Sequence, residues 1–200
     1  MKPLEEIYGK RFFARRHRLS WRAKPVVAAI VAVLKPASVI DVGCGIGDVV
    51  GELNRRSIPS RGVEGSPEVT EYFDNDAWDK IVIHDLRKPL SDYLPFDLCL
   101  SLEVAEHIEP EYADTYVDNL CQLSRRVLVS AAPPGQGGHY HVNCQPQQYW
   151  IRKFYDRGYY YKFSGVEAIR EHWEPWRAKK EMSAYYHNLL YFERGERCVK

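Results

Sequence analysis

The stretch Ser38-Val-Ile-Asp-Val-Gly-Cys-Gly-Ile-Gly-Asp48 decides the fold of this chain. Val39, Ile40 and Val42 read as a buried strand. Gly43, Gly45 and Gly47 follow as a turn whose backbone can bend sharply and come within van der Waals range of a ligand. A helix opens near Asp48. Strand, glycine turn and helix in that order form a nucleotide-cradling layout. Asp41 stands at the strand's carboxyl end, where open α/β sheets bind ligands. The glycines are spaced Gly-x-Gly-x-Gly, and Asp48 stands where a Gly-x-Gly-x-x-Gly dinucleotide loop needs its third glycine, which turns the reading away from a nicotinamide cofactor.

Outward from this loop, periodicity predicts a helix over residues 4–21 with Tyr8, Phe12 and Phe13 on an apolar stripe. A second helix opens at Pro25 and buries Val26, Val27, Ile30, Val31 and Leu34. Strands are expected at 62–64, 81–83, 96–101 and 126–130, with helices at 48–55, 67–73 and 110–123. Two further strands, at 159–163 and 188–192, flank a helix over 166–173. Such alternation predicts an α/β protein: a Rossmann-like, doubly wound, mostly parallel sheet with helices on both faces.

Composition bounds the function. The chain has 200 residues and a formal net charge of +1, which suits one domain and argues against a large polyanion such as a nucleic acid as main partner. Cys44, Cys99, Cys121, Cys144 and Cys198 include no C-x-x-C pair and read as reduced thiols. No apolar run is long enough to span a membrane, and the basic start lacks a signal peptide's apolar stretch, so a cytoplasmic protein without a membrane partner is expected. The run Lys10, Arg11, Arg15, Arg16, Arg18, Arg22 and Lys24 reads as a solvated helix face ahead of a phosphate or nucleic-acid patch.

Three more marks follow the glycine loop. Glu64 lies nineteen positions after Gly45 at the end of a strand, placed to accept hydrogen bonds from both hydroxyls of a ribose. Asp85 follows the third strand in Ile83-His-Asp-Leu86, and Phe96-Asp-Leu-Cys-Leu-Ser-Leu-Glu-Val-Ala-Glu-His-Ile108 carries the fourth strand and what leaves it. Taken in order over residues 38–108, these features resemble the class I S-adenosylmethionine (SAM)-dependent methyltransferases. The resemblance implies a seven-stranded sheet whose last strand is antiparallel and inserted beside the fifth. It implies that Asp41 serves the positively charged methionine end of SAM, that Gly43 offers its carbonyl to the ammonium, and that Gly45 and Gly47 shape the loop. Asp85 and the Leu86 N–H then meet the adenine, while Ser101 and Glu103 border the cofactor. Within one domain of 1–200, residues 1–35 are expected to cap the site, 38–131 to hold SAM, and 132–200 to form the acceptor side and closing strands.

Glu103-Val-Ala-Glu-His107 carries two readings. In many class I methyltransferases a similar pattern packs the rim beside the cofactor. In the ubiquinone-pathway O-methyltransferases and the small-RNA 3′-end 2′-O-methyltransferases it supplies divalent-metal ligands, joined by a later histidine. His141, in His139-Tyr-His-Val-Asn-Cys-Gln-Pro146, answers to that role here. Glu103, Glu106, His107 and His141 together suit Mg²⁺, Mn²⁺, Fe²⁺ or Zn²⁺. Without an ion, His107 or His141 serves as general base, imidazole being the group most easily poised near neutral pH. Gln145, Tyr149 and Trp150 are candidates for the acceptor wall. The expected activity is SAM-dependent methyl transfer to oxygen on a small polar acceptor, a sugar or secondary-metabolite hydroxyl. The alternatives are ribose 2′-O-methylation of nucleic acid and a non-catalytic SAM-binding partner.

Overall fold

In the computed structural model, which describes residues 3–74, 76–91 and 95–195, the chain folds around seven strands: β1 (Val39–Val42), β2 (Ser60–Glu64), β3 (Ile81–Ile83), β4 (Leu98–Leu102), β5 (Arg126–Ser130), β6 (Tyr159–Tyr161) and β7 (Leu189–Arg194). Lys2 and Cys198 lie outside the described residues. The sheet order is β3-β2-β1-β4-β5-β7-β6. The first five strands pair in parallel, and β7 runs antiparallel between β5 and β6, as expected beside the fifth strand. β1 and β4 are buried along their whole length, which suits the continuous apolar runs of central strands covered on both faces. Strand order reverses between β1 and β4, so their carboxyl ends splay apart and open a crevice. That crevice receives both the glycine turn after β1 and the Glu103–His107 segment after β4.

Eight α-helices are seen among the described residues: α1 (Leu4–Ile7), α2 (Lys10–His17), α3 (Ala23–Leu34), α4 (Asp48–Arg55), α5 (Ala113–Leu123), α6 (Gln147–Tyr155), α7 (Phe163–Trp173) and α8 (Lys180–Asn188). α3 buries Val26, Val27 and Ile30 with Val166, Ile169 and Trp173 of α7 on one face of the sheet. Tyr116 of α5 and Trp150 and Phe154 of α6 fill the other face. Each such side chain removes enough apolar surface from water to contribute about 1.5–3 kcal/mol.

Several boundaries differ from the sequence reading, each for a local reason. The helix expected over 4–21 breaks at Tyr8 and Gly9, where Gly9 caps α2 in an extended conformation. The Ser66 hydroxyl donates to the Tyr8 carbonyl at 3.0 Å and pins the break. α3 opens at Ala23, so Pro25 sits in its first turn, where no N–H is missed. Residues 67–73 form a 3₁₀ helix, Pro67–Tyr72, rather than an α-helix. The fourth strand opens at Leu98, not at 96, because the Phe96 N–H is already donated to the Leu123 carbonyl. α8 was not foreseen. Trp21, after α2, packs on Trp176 with ring centroids 5.8 Å apart, and the Lys179 ammonium lies about 5 Å from each ring. Among the described residues no helix is long and apolar enough to cross a membrane.

Candidate active site

Over the crevice lies a cavity of about 710 Å³. Gly43, Gly45, Glu64, Asp85 and Leu86 line one end; Glu103, Glu106, His107, Gln136 and His141 line the other; Tyr8, Phe12, Arg16 and Tyr185 roof it.

At the first end the backbone is shaped for a ligand. Gly45 has φ +56°, a left-handed conformation that glycine adopts without steric cost, and a Cβ there would point into the cavity with only the Arg16 guanidinium nearby, at 3.9 Å. Gly47, at φ +76°, caps α4 and faces away from the cavity, where a Cβ would meet Ile81 and Ala77. Gly47 is therefore part of the turn and does not line the cavity. Glu64 is half-buried and tied to the loop: one oxygen accepts the Gly45 N–H at 2.8 Å, the other those of Gly65 and Ser66 at 2.8 and 3.1 Å. Burial raises its pKa, and these three donors and Arg16 oppose the rise. A carboxylate has about four lone-pair sites, so one remains for a sugar hydroxyl.

Asp85 also lines the cavity. Its carboxylate is gripped by Arg87, Nε to Oδ1 at 2.9 Å and Nη2 to Oδ2 at 3.0 Å, while Arg87 Nη1 reaches Glu109 at 3.2 Å. Burial disfavours the charge on Asp85, but Arg87 outweighs it and holds the pKa below the ordinary carboxylate value. Leu86 is buried beside it. Two expected contacts lie below the cavity. Asp41 is 5 % exposed, and burial, then Asp48, pushes its pKa up to about 8 with Arg16 opposing. It acts on the cavity from beneath the loop. Ser101 is fully buried; its hydroxyl donates to the Val42 carbonyl and accepts from Tyr116, both at 2.7 Å, so it braces β1 and β4 and does not line the cavity.

The far end is unlike the first. Glu106 is 0 % exposed, yet neither carboxylate oxygen has a hydrogen-bond partner. Burial, and next the Glu103 charge, pushes its pKa up to about 8. His107 and His141 stand beside it, ring centroids 4.9 Å apart, and one donor atom from each of the three residues lies within 4.8 Å of the others. His107 Nδ1 faces the Tyr140 carbonyl at 3.2 Å, and His141 Nδ1 faces the Gln136 carbonyl at 3.0 Å. A carbonyl only accepts, so in the neutral rings both Nδ1 atoms carry the hydrogen and both Nε2 atoms keep a lone pair. Burial, then His141, lowers the His107 pKa to about 4, which keeps that ring neutral. A Cβ on Gly138 would overlap His141 Nε2, so glycine there leaves space at the lone pair. One carboxylate and two imidazoles with free lone pairs fit a divalent ion.

Glu103 does not join this triangle. At φ +56° it turns toward Gln136, which donates at 3.1 Å, and Asn188, which donates at 3.1 and 3.3 Å. The structure thus brings together three of the four residues expected to hold an ion. Trp150 belongs to the core, and neither it nor Gln145 or Tyr149 lines the cavity.

The sequence reading named a cap over residues 1–35 but none of the side chains that roof the cavity. Tyr8 packs on His107, His139 and Tyr140 with ring centroids 5.7–6.4 Å away, and its hydroxyl is buried without a partner. His139 Nε2 meets the Ile7 carbonyl at 2.6 Å and latches the amino-terminal segment down. Arg11, Arg15, Arg16 and Arg22, taken from sequence for a solvated face, line the cavity. The signal was a run of cations directly ahead of a ligand loop.

Residues 40–129, from within β1 to within β5, match the methyltransferase-domain family model. No curated protein sequence matches the chain. Among solved structures, magnesium protoporphyrin IX methyltransferase from Synechocystis PCC 6803 with bound S-adenosylhomocysteine (SAH) is similar at TM-score 0.64 and 18 % identity, over 96 % of this chain and 93 % of that one. The methyltransferase domain of bacterial CtHen1-C is similar at 0.60 and 18 %, over 88 % and 98 %. An O-methyltransferase of neocarzinostatin biosynthesis, solved with SAM and 2-hydroxy-5-methyl naphthoic acid, is similar at 0.52 and 14 %, over 68 % and 47 %. At these identities the structural likenesses speak for the fold. Residues 40–129 thus match a methyltransferase domain over the cofactor half of the sheet, where the glycine loop and Glu64 are arranged around the cavity, and the chain shares its fold with SAM-dependent methyltransferases.

Proposed function

We propose that the chain methylates an oxygen of a small polar acceptor held at the Glu106–His107–His141 end of the cavity. The observation that carries this is the wholly buried Glu106 carboxyl between two imidazoles, neither oxygen hydrogen-bonded and His141 Nε2 3.9 Å from Oε1. A buried charge without partners costs several kcal/mol, so this site awaits a cation, a proton or an acceptor hydroxyl. SAM supplies the methyl on a sulfonium, which demands in-line approach, so positioning accounts for much of the rate. Glu64 and the glycine loop fix the nucleoside end, while His107 and His141 present Nε2 lone pairs toward the acceptor's O–H. A divalent ion on the three residues would lower the pKa of a coordinated hydroxyl. Residues 1–35 cap the cavity and 132–200 supply Gln136, His141 and Asn188 on the acceptor side.

The experiment is transfer of labelled methyl from SAM to a panel of sugars, catechols, nucleosides and RNA, with and without chelator. We expect label on oxygen of a small acceptor, loss of turnover on chelation, and recovery with one of Mg²⁺, Mn²⁺, Fe²⁺ or Zn²⁺. Label on nitrogen or carbon, or on RNA alone, overturns the proposal. Full turnover in excess chelator removes the ion and leaves imidazole-assisted transfer.

A further inference from the structure

We propose that Arg16 receives the carboxylate of the cofactor's methionine part and thereby fastens α2 over the bound cofactor. The inference rests on SAM dependence alone and is independent of the acceptor. SAM carries two positive groups, sulfonium and ammonium, and a single anion, the carboxylate. A site selective for the whole molecule needs one cation within reach of the glycine loop.

Most cations lining the cavity are placed or committed elsewhere. Arg87 is bound to Asp85 and Glu109 at the adenine end. Arg22 donates Nε to the Leu19 carbonyl and Nη1 to the Glu181 carbonyl. Arg11, Arg15 and Lys180 are exposed at the mouth. Arg16 is half-buried and lies directly over the loop, Nε and Nη2 both 3.9 Å from the place a Gly45 Cβ would take. Among the described residues no carboxylate lies within ion-pair distance of it. Tyr185, Asp48 and Glu64 act on it electrostatically and outweigh burial to keep it charged.

Glu64 has spent three of its acceptor sites on backbone N–H groups, and Asp41 sits beneath the loop. The guanidinium is therefore charged and aimed at the ligand, with its planar donor fork free for a carboxylate. Arg16 belongs to α2, so this contact ties the amino-terminal segment to the cofactor. The segment's other polar ties include Lys10 to Glu71, Ser66 to the Tyr8 carbonyl, and His139 to that of Ile7.

The test compares SAH with 5′-methylthioadenosine, which keeps the nucleoside and lacks the amino-acid arm, by calorimetry on wild type, Arg16→Met and Arg16→Lys. Arg16→Met should weaken SAH by about tenfold to a hundredfold, the scale of a charge-assisted bidentate pair, and leave methylthioadenosine unchanged. Arg16→Lys should fall between. Equal losses for both ligands, or undiminished SAH affinity, overturn the proposal. Hydrogen exchange on the wild type gives a second measurement that needs no variant: SAH should slow exchange in residues 10–22 and methylthioadenosine should not. Equal protection by both also overturns it. Wild type that binds neither ligand instead refutes SAM dependence itself.

Discussion

The two ends of the cavity are built on opposite terms. At the cofactor end the carboxylates that line the cavity are already answered within the chain: Glu64 by three N–H donors, Asp85 by Arg87. At the transfer end both Glu106 oxygens and the Tyr8 hydroxyl are buried with no hydrogen-bond partner. A satisfied network is rigid and ready for a ligand that only has to dock. An unsatisfied one is a stability cost carried for chemistry, completed when ion or acceptor arrives. Cofactor recognition is thus preorganised here, and the reaction centre is left incomplete.

The sharpest way to break this contrast is to neutralise each acid in turn. Glu106→Gln should cut turnover by about a hundredfold or more, the usual scale for a lost acid–base or ligating group, with SAM affinity unchanged. The same substitution should raise the apo protein's stability by about 1 kcal/mol, because it relieves a buried carboxyl without partners. Melting curves beside labelled-methyl assays check both signs. Glu64→Gln should do the reverse, lowering stability by about 1–3 kcal/mol as N–H acceptors are lost, and weakening SAH on calorimetry. If both variants shift stability in the same direction, the contrast fails.

The smallest effect concerns Asp41, whose pKa is raised to about 8 by burial and by Asp48. A raised carboxyl pKa means the stabilising contribution is fully present below about pH 4 and is lost as pH rises through about 8. Asp48, Glu64 and Cys44 around it are raised by burial too, and Arg16 opposes. Asp41→Asn should therefore match wild type near pH 4 and melt higher than wild type near pH 8, the gap widening as pH rises between the two. A gap that stays constant with pH would show that the loop's floor is charged throughout.

Much of the architecture was readable because it is written locally. Val39–Val42, Ile81–Ile83 and Arg126–Ser130 are short apolar runs with turn residues beside them, and each is a strand with the bounds read from sequence. The convergence of His107 and His141 followed from both lying after strands that end on one sheet edge. What escaped was set by distant partners. Glu103 is adjacent to its neighbours in any motif, but Gln136 and Asn188 turn it away from them. Ser101 ends a strand toward the ligand edge, yet Tyr116, fifteen residues on, claims its hydroxyl. Arg16 looks like any cation of an exposed helix until the break at Gly9 folds α2 across the cavity, and nothing in hydrophobic period marks that turn.

The packing of Trp21 on Trp176 beneath the Lys179 ammonium gives the molecule an optical reporter of its own. Indole emission responds to a nearby fixed charge and to a stacked neighbour. One of these two rings follows α2 and the other follows α7. Movement of the amino-terminal segment over the bound cofactor is thereby translated into colour and intensity, readable on a stopped-flow time base in the native chain with no dye attached.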